Sequence, residues 1–176
     1  VPEILQKYAR HARTGEAMPQ DLLDRVLATR TFNQGFALVE YTSCAILDLD
    51  VHALPQATAL DVDAFEKQAL DRIHMPAELV MRHRLPHFQH LFSGGGYAAA
   101  YYSYMWSEVL DADAFAAFEE TGDIFDPATA KALHDHVYSS GGARDPEDLY
   151  KAFRGRLPTP DALLKKRGLV DAVVQN

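Results

Sequence analysis

Between His83 and Trp106 the sequence reads HRLPHFQHLFSGGGYAAAYYSYMW, placing three histidines, three consecutive glycines and four tyrosines within twenty-four residues. A phenol donates a hydrogen bond and, with a pKa near 10, keeps its proton at neutral pH. It therefore suits an oxygen that gains negative charge during a reaction, such as that of a carbonyl under attack. The run Ser93-Gly94-Gly95-Gly96 comes just before Tyr97, and its unrestricted backbone lets a following side chain approach a ligand closely. His90, seven residues before Tyr97, offers a second donor or a hold on a substrate backbone amide. A helix starting near the end of the glycine loop, at about 100° per residue, would put Tyr97, Tyr101, Tyr104 and Glu108 on one side. Buried tyrosines also pack their rings and satisfy their hydroxyls internally, and that structural alternative stands beside the chemical one.

His83, His87 and His90 are spaced so that a helix would carry three imidazoles on one face, an arrangement that holds metal ions. Pro86 lies between them, disfavours helical backbone at Leu85 and cannot donate a backbone bond, so the three rings are expected not to align. The sequence contains no H-E-x-x-H, no cysteine pair, no phosphate-binding loop and no G-x-S-x-G. The run HDHVY (residues 134–138) reads as a solvated helix surface, and the carboxylates are spread along exposed helix faces. Arg82 and Arg84 are candidates to bind a substrate carboxylate. By themselves these residues are parts of a binding site and not a complete catalytic set.

The elements that must position them read as helices. Apolar residues recur every three or four positions over 2–14 and 20–29, and a long third helix is expected over 33–54. Asp61 or Asp63 is an N-cap for the helix that follows. Residues 99–120, rich in Ala, Leu, Met and Glu, give the clearest helix, with Gly122 as its stop. On that helix Tyr102, Met105, Trp106 and Val109 form the face expected to enter a core. DPATAKALHDHVYSSGG, DPEDLYKAFRG and PTPDALLKKRGL each open with a proline start signal and close on glycine. No alternating apolar pattern, fixed repeat or low-complexity tract is present. The reading is one all-α domain over residues 1–176.

With 48% hydrophobic and 24% charged residues the 176-residue chain has a globular composition. A net charge of −8 excludes a nucleic-acid surface, which needs clustered Lys and Arg. Cys44 is the single cysteine, so no intramolecular disulfide forms and a reducing compartment is expected. No apolar stretch approaches the ~18 residues of a membrane span. The chain is expected to be soluble and cytoplasmic, without a membrane partner. It opens on Val1 already in helical register, which fits a piece of a longer protein.

HLFSGGGYAAAYYSYMWSEVLDADAF, followed by FRGRLPTPDALLKKRGL, resembles the C-terminal region of the thimet-oligopeptidase family of zinc metallopeptidases, of the oligopeptidase A and dipeptidyl carboxypeptidase type. YARHARTGEAMP and FNQGFALVEYTSCAILDLDVHAL look like further family segments, so the resemblance runs nearly end to end. It implies a multi-helix portion of a two-lobed, zincin-like, all-helical enzyme whose deep channel limits substrates to short peptides. In that family, zinc is held by an H-E-x-x-H pair and a later glutamate, which the resemblance places upstream of Val1. The chain is then a C-terminal fragment that binds no zinc, is inactive alone, and has the zinc-bearing N-terminal part as partner. By the same resemblance Tyr104 and Tyr97 are the catalytic hydroxyls that support the oxyanion. His90 and Tyr101 bind substrate, and Gly94, Gly95 and Gly96 form a mobile loop. The loop is longer than in some relatives, and Ala100 stands where a glycine is common. The alternative is a non-catalytic helical binding module.

Overall fold

The computed structural model describes residues 1–56 and 59–170. Among them every regular element is helical apart from one isolated antiparallel bridge, Arg10 to Ala17. The chain runs α1 (Pro2–Tyr8), α2 (Gln20–Ala28), α3 (Gln34–His52), α4 (Val62–Arg72), α5 (Gln89–Phe92), α6 (Ser103–Thr121), α7 (Pro127–Leu133), α8 (Pro146–Arg154) and α9 (Asp161–Lys166). The cap chemistry accounts for most of these boundaries. Asp61, Asp126 and Asp145 each accept a backbone N–H of the first turn behind them, at 3.1, 2.6 and 2.8 Å. Gly122 and Gly155 close α6 and α8 in the left-handed conformation. The all-α expectation holds.

Three boundaries differ from the sequence reading. α1 stops at Tyr8 instead of continuing to residue 14, because the chain folds back on itself: the His11 amide donates to the Glu16 carbonyl at 2.8 Å and Met18 to Ala9 at 3.1 Å. α6 starts at Ser103, four residues later than expected, because Ala99 has φ +56° and cannot lie in a right-handed helix. α7 is followed by a π-helical turn over His134–Tyr138, its last bond running from the Ser139 amide to the His134 carbonyl.

The main core packs α3 against α4 and the segment leading into α5. Cys44, Leu47, Ala69, Met81, Leu85, Phe88, Leu91 and Tyr101 are buried together. Glu66, itself buried, fixes that segment by accepting the Leu85 amide and Arg84 Nε, both at 2.7 Å. Outside the core, α3 and α6 carry apolar residues on every side, as helices destined for burial all round do. Their outer faces meet along a groove of about 320 Å³ lined by Tyr41, Ile46, Leu49, Tyr102, Met105, Trp106 and Val109. Tyr102 and Trp106 remain 49% and 62% exposed. The face expected to enter a core is therefore an open apolar surface.

The second half is organised around Asp113 of α6, which is 1% exposed. It accepts the Tyr150 hydroxyl and the Arg156 guanidinium, each at 2.7 Å. Arg154 adds a contact at 3.3 Å and forks onto Glu120. Burial, then the bond to Asp113, holds the Tyr150 hydroxyl well above its ordinary pKa. α9 packs along α6 through Lys166 to Asp111 at 3.0 Å and an Arg167 to Glu108 pair. Just beyond, a side chain at Gly168 would meet Thr31 Cγ2 at 2.8 Å, so the close approach to the turn after α2 requires glycine. Removing Asp113 takes the closer acceptor from the Tyr150 hydroxyl, which keeps only the Leu110 carbonyl at 3.2 Å, and takes the carboxylate partner from Arg156. Asp113→Ala is expected to cost about 1–3 kcal/mol in urea unfolding; an unchanged stability would contradict this role.

Candidate functional site

The site residues are brought together by turns and not by a single helix. Tyr97 and Tyr101 lie before α6 and Tyr104 lies in its first turn. Even so, the Tyr97 and Tyr104 rings stack at 5.7 Å with 7° between planes. The Tyr104 hydroxyl donates to the Tyr97 hydroxyl at 3.2 Å. Both rings are open to solvent, 38% and 40% exposed. Glu108, expected on the same stripe, is instead taken up by Arg167.

His90 in α5 completes the cluster. Its ring stands edge-on to Tyr97 at 5.6 Å, Tyr101 at 5.8 Å and Tyr104 at 6.3 Å. Tyr101 lies beneath the exposed pair: it is 8% exposed, stacks on Tyr41 at 5.4 Å and meets Phe88 edge-to-face at 4.8 Å. Burial raises the Tyr101 and Tyr41 phenols above their ordinary pKa. Tyr104 is also raised, first because its proton is engaged with Tyr97. All three keep their protons, and so remain donors, through neutral pH.

Of the three glycines, Gly94 has a backbone that demands glycine, with φ +112°. A side chain at Gly95 or Gly96 would meet nothing within 4 Å. Ser93 to Gly96 are exposed, as is Tyr97 in part, so this loop lies in solvent beside the tyrosines.

Three residues that position the cluster went unnoticed in the sequence. Asp48 of α3, 0% exposed, accepts the Ala99 amide at 2.9 Å and the Tyr101 amide at 2.8 Å. His52, one turn on, places Nδ1 2.8 Å from the same carboxylate. Tyr41 donates to the Tyr101 carbonyl at 2.5 Å and accepts the Met105 amide at 3.2 Å, satisfying a free N–H at the start of α6. A signal was present: Asp48 interrupts the apolar run CAILDL, and a carboxylate on a buried face must have partners.

The candidate metal ligands behave as Pro86 dictates. Leu85–His87 form a short 3-10 turn, His87 is exposed, and His83 and His90 approach to 6.4 Å between centroids. Among the described residues no three His, Cys, Asp or Glu side chains form a group that could hold a metal ion. Arg84 is committed to Glu66 and Asp63, whereas Arg82 is 60% exposed with Glu40 at 3.3 Å. A cavity of about 810 Å³ between α6, α7 and α8 is lined by Trp106, Phe115, Phe118, Val137 and Tyr138 among others. It includes neither His90 nor the Tyr97 and Tyr104 pair, so the convergent donors lie elsewhere.

A sequence model described as Peptidase family M3 matches residues 1–169. The chain belongs to peptidase family M3. This bears out the resemblance drawn from the tyrosine and glycine segment. The M3 chain is 39% identical over 173 residues to oligopeptidase A of Escherichia coli and 38% identical over 170 residues to dipeptidyl carboxypeptidase of Salmonella typhimurium. It is 35% identical over 175 residues to the probable cytosolic oligopeptidase A of Arabidopsis thaliana. The alignments take in 96–97% of the chain and 25% of each relative, so the M3 chain spans about a quarter of the length of these proteins. No helix among the described residues is long and apolar enough to cross a membrane.

The raised Tyr104 pKa can be checked directly. Tyr97→Phe removes the acceptor of the Tyr104 proton, so the Tyr104 pKa should fall back towards its ordinary value near 10. A tyrosine Cζ NMR titration of both forms reads this, and an unchanged or higher Tyr104 midpoint would show that the pair is not coupled.

Proposed function

We propose that this chain forms the substrate-holding and oxyanion-stabilising wall of a zinc-dependent oligopeptidase or peptidyl-dipeptidase acting on short peptides. The observation carrying the reading is the stacked, solvent-facing Tyr97 and Tyr104 pair, its hydroxyls 3.2 Å apart beside His90. At that spacing one peptide carbonyl oxygen can sit about 2.7 Å from both hydroxyls. In the free chain the Tyr104 proton points at Tyr97; hydroxyl protons rotate at little cost, so both can turn onto the substrate oxygen. As attack on the carbonyl moves charge onto that oxygen, both bonds strengthen, stabilising the transition state more than the bound peptide. A phenol, with an ordinary pKa near 10, stays protonated at neutral pH and so remains a donor while it works.

His90 stands where an imidazole can meet a backbone amide of the peptide, next to the open loop of Gly94, Gly95 and Gly96. Tyr101, buried, serves substrate binding by supporting the Tyr104 ring, edge-on at 5.4 Å. What this chain brings to the reaction is hydrogen-bond donors and a shaped surface. On this reading zinc belongs to the remainder of a longer peptidase, which covers the apolar groove between α3 and α6, and the isolated chain is inactive. The buried, free Cys44 accords with a reducing, cytoplasmic setting.

The test uses the zinc-loaded enzyme that contains this chain. Tyr104→Phe should lower kcat/KM on a short peptide roughly tenfold to a thousandfold, with zinc content unchanged. Wild-type activity in that variant would remove Tyr104 from the mechanism. A Tyr104→Phe protein that is slow because it has lost zinc would equally count against an oxyanion role.

A further inference from the structure

We infer that Asp48 is the positioning residue of the tyrosine pair: its buried carboxylate locks the turn between Tyr97 and Tyr104 by accepting the amides of Ala99 and Tyr101. This rests on the reading of the two hydroxyls proposed above. The two tyrosines are seven residues apart, and neither ring is held by deep burial. What fixes their relative placement is the backbone between them. That backbone is strained: Ala99 has φ +56°, a left-handed conformation that a non-glycine residue keeps only where its surroundings impose it.

Asp48 supplies the imposition. Both carboxylate oxygens are used on this turn, one on the amide of the strained residue at 2.9 Å and the other two residues on at 2.8 Å. The carboxylate comes from α3, more than fifty residues earlier, on a rigid helix inside the main core. His52 closes the remaining side at 2.8 Å, with its ring 5.8 Å from Phe92 at the head of the glycine loop. Tyr41 holds the next peptide, so the register is set from Ala99 into the first turn of α6. An asparagine at 48 keeps the shape but turns an N–H towards one of the amides. One bond is lost, the charge is gone, and the turn is free to relax.

The effect should fall on kcat. In the zinc-loaded enzyme containing this chain, Asp48→Asn should lower kcat, by up to about a hundredfold for a misplacement near 1 Å, with KM little changed and zinc retained. Because Asp48 acts through Tyr104, the double variant with Tyr104→Phe should be little slower than Tyr104→Phe alone. Ala99→Gly, which adopts the positive φ without strain, should restore part of the rate to Asp48→Asn. Ala99→Val disturbs the same turn without stranding a buried group; if Asp48→Asn fails to fold, this variant should show the same fall in kcat. Hydrogen exchange at the Ala99 and Tyr101 amides should be slow in the wild type and fast in Asp48→Asn. Wild-type kcat in the Asp48 variant, or in Ala99→Val where that stands in, overturns the inference. So does a loss that multiplies fully with that of Tyr104→Phe. Wild-type kcat in Tyr104→Phe alone overturns the reading of the hydroxyls; the exchange measurement then still reports whether Asp48 locks the turn.

Discussion

A carboxylate placed out of water in a helical core is unfavourable until hydrogen bonds replace its hydration, and Asp48 obtains them from a stretch of chain that lies outside any helix. Ala99 and Tyr101 lie after the glycine loop and before α6, where no helical ladder uses their amides. The requirement is mutual. Asp48 needs donors, and the turn needs an acceptor on a fixed element. Satisfying both brings α3 to the base of α6, seats Tyr101 between Tyr41 and Phe88, and leaves Tyr97 and Tyr104 on top with their hydroxyls adjoining.

The same logic recurs along the chain. Glu66 reaches from α4 to the Leu85 amide, Tyr41 from α3 to the Tyr101 carbonyl and the Met105 amide, and Asp113 from α6 to Tyr150 and Arg156. Each is a polar group on a regular helix that ties down irregular chain or a distant helix. Among the described residues every buried side-chain nitrogen or oxygen has a partner. Apolar packing brings these segments together but tolerates small slips, whereas a buried carboxylate aimed at particular amides does not, since each lost bond leaves an unpaired group. Placement of the site is thus set by a few long-range polar contacts laid over an ordinary core.

That division explains what could be read from the residues in order. Caps such as Asp61, Asp126 and Asp145, and stops such as Gly122 and Gly155, act within a few residues, so the helices they bound were legible. The breaking of the histidine trio by Pro86 was legible for the same reason. The clustering of Tyr97, Tyr101 and Tyr104 was suggested by helical spacing, yet the geometry that produces it is not helical: Ala99 in the left-handed region delays α6, and a contact across more than fifty residues holds it there. Periodicity has no access to such a contact. The apolar face of Tyr102 and Trp106 was recognised as apolar, but its neighbour could not be read, and it lies open along α3.

The asymmetry between the two exposed tyrosines follows from where the anchors fall. Tyr104 lies beyond the Asp48 anchor, on a helix whose first turn is tied by Tyr41, so its hydroxyl has a fixed address. Tyr97 lies before the first anchor, at the end of exposed Ser93 to Gly96, with Gly94 in a conformation open to glycine alone. Adjustment to a ligand is therefore cheap on the Tyr97 side and costly on the Tyr104 side. A fixed donor is what preorganised charge stabilisation requires, because no reorganisation is then spent when the oxyanion forms. An adjustable one suits the earlier task of admitting the peptide and closing on it. Placing the left-handed residue and its carboxylate between the two tyrosines, instead of before both, is what allows one short segment to carry both properties.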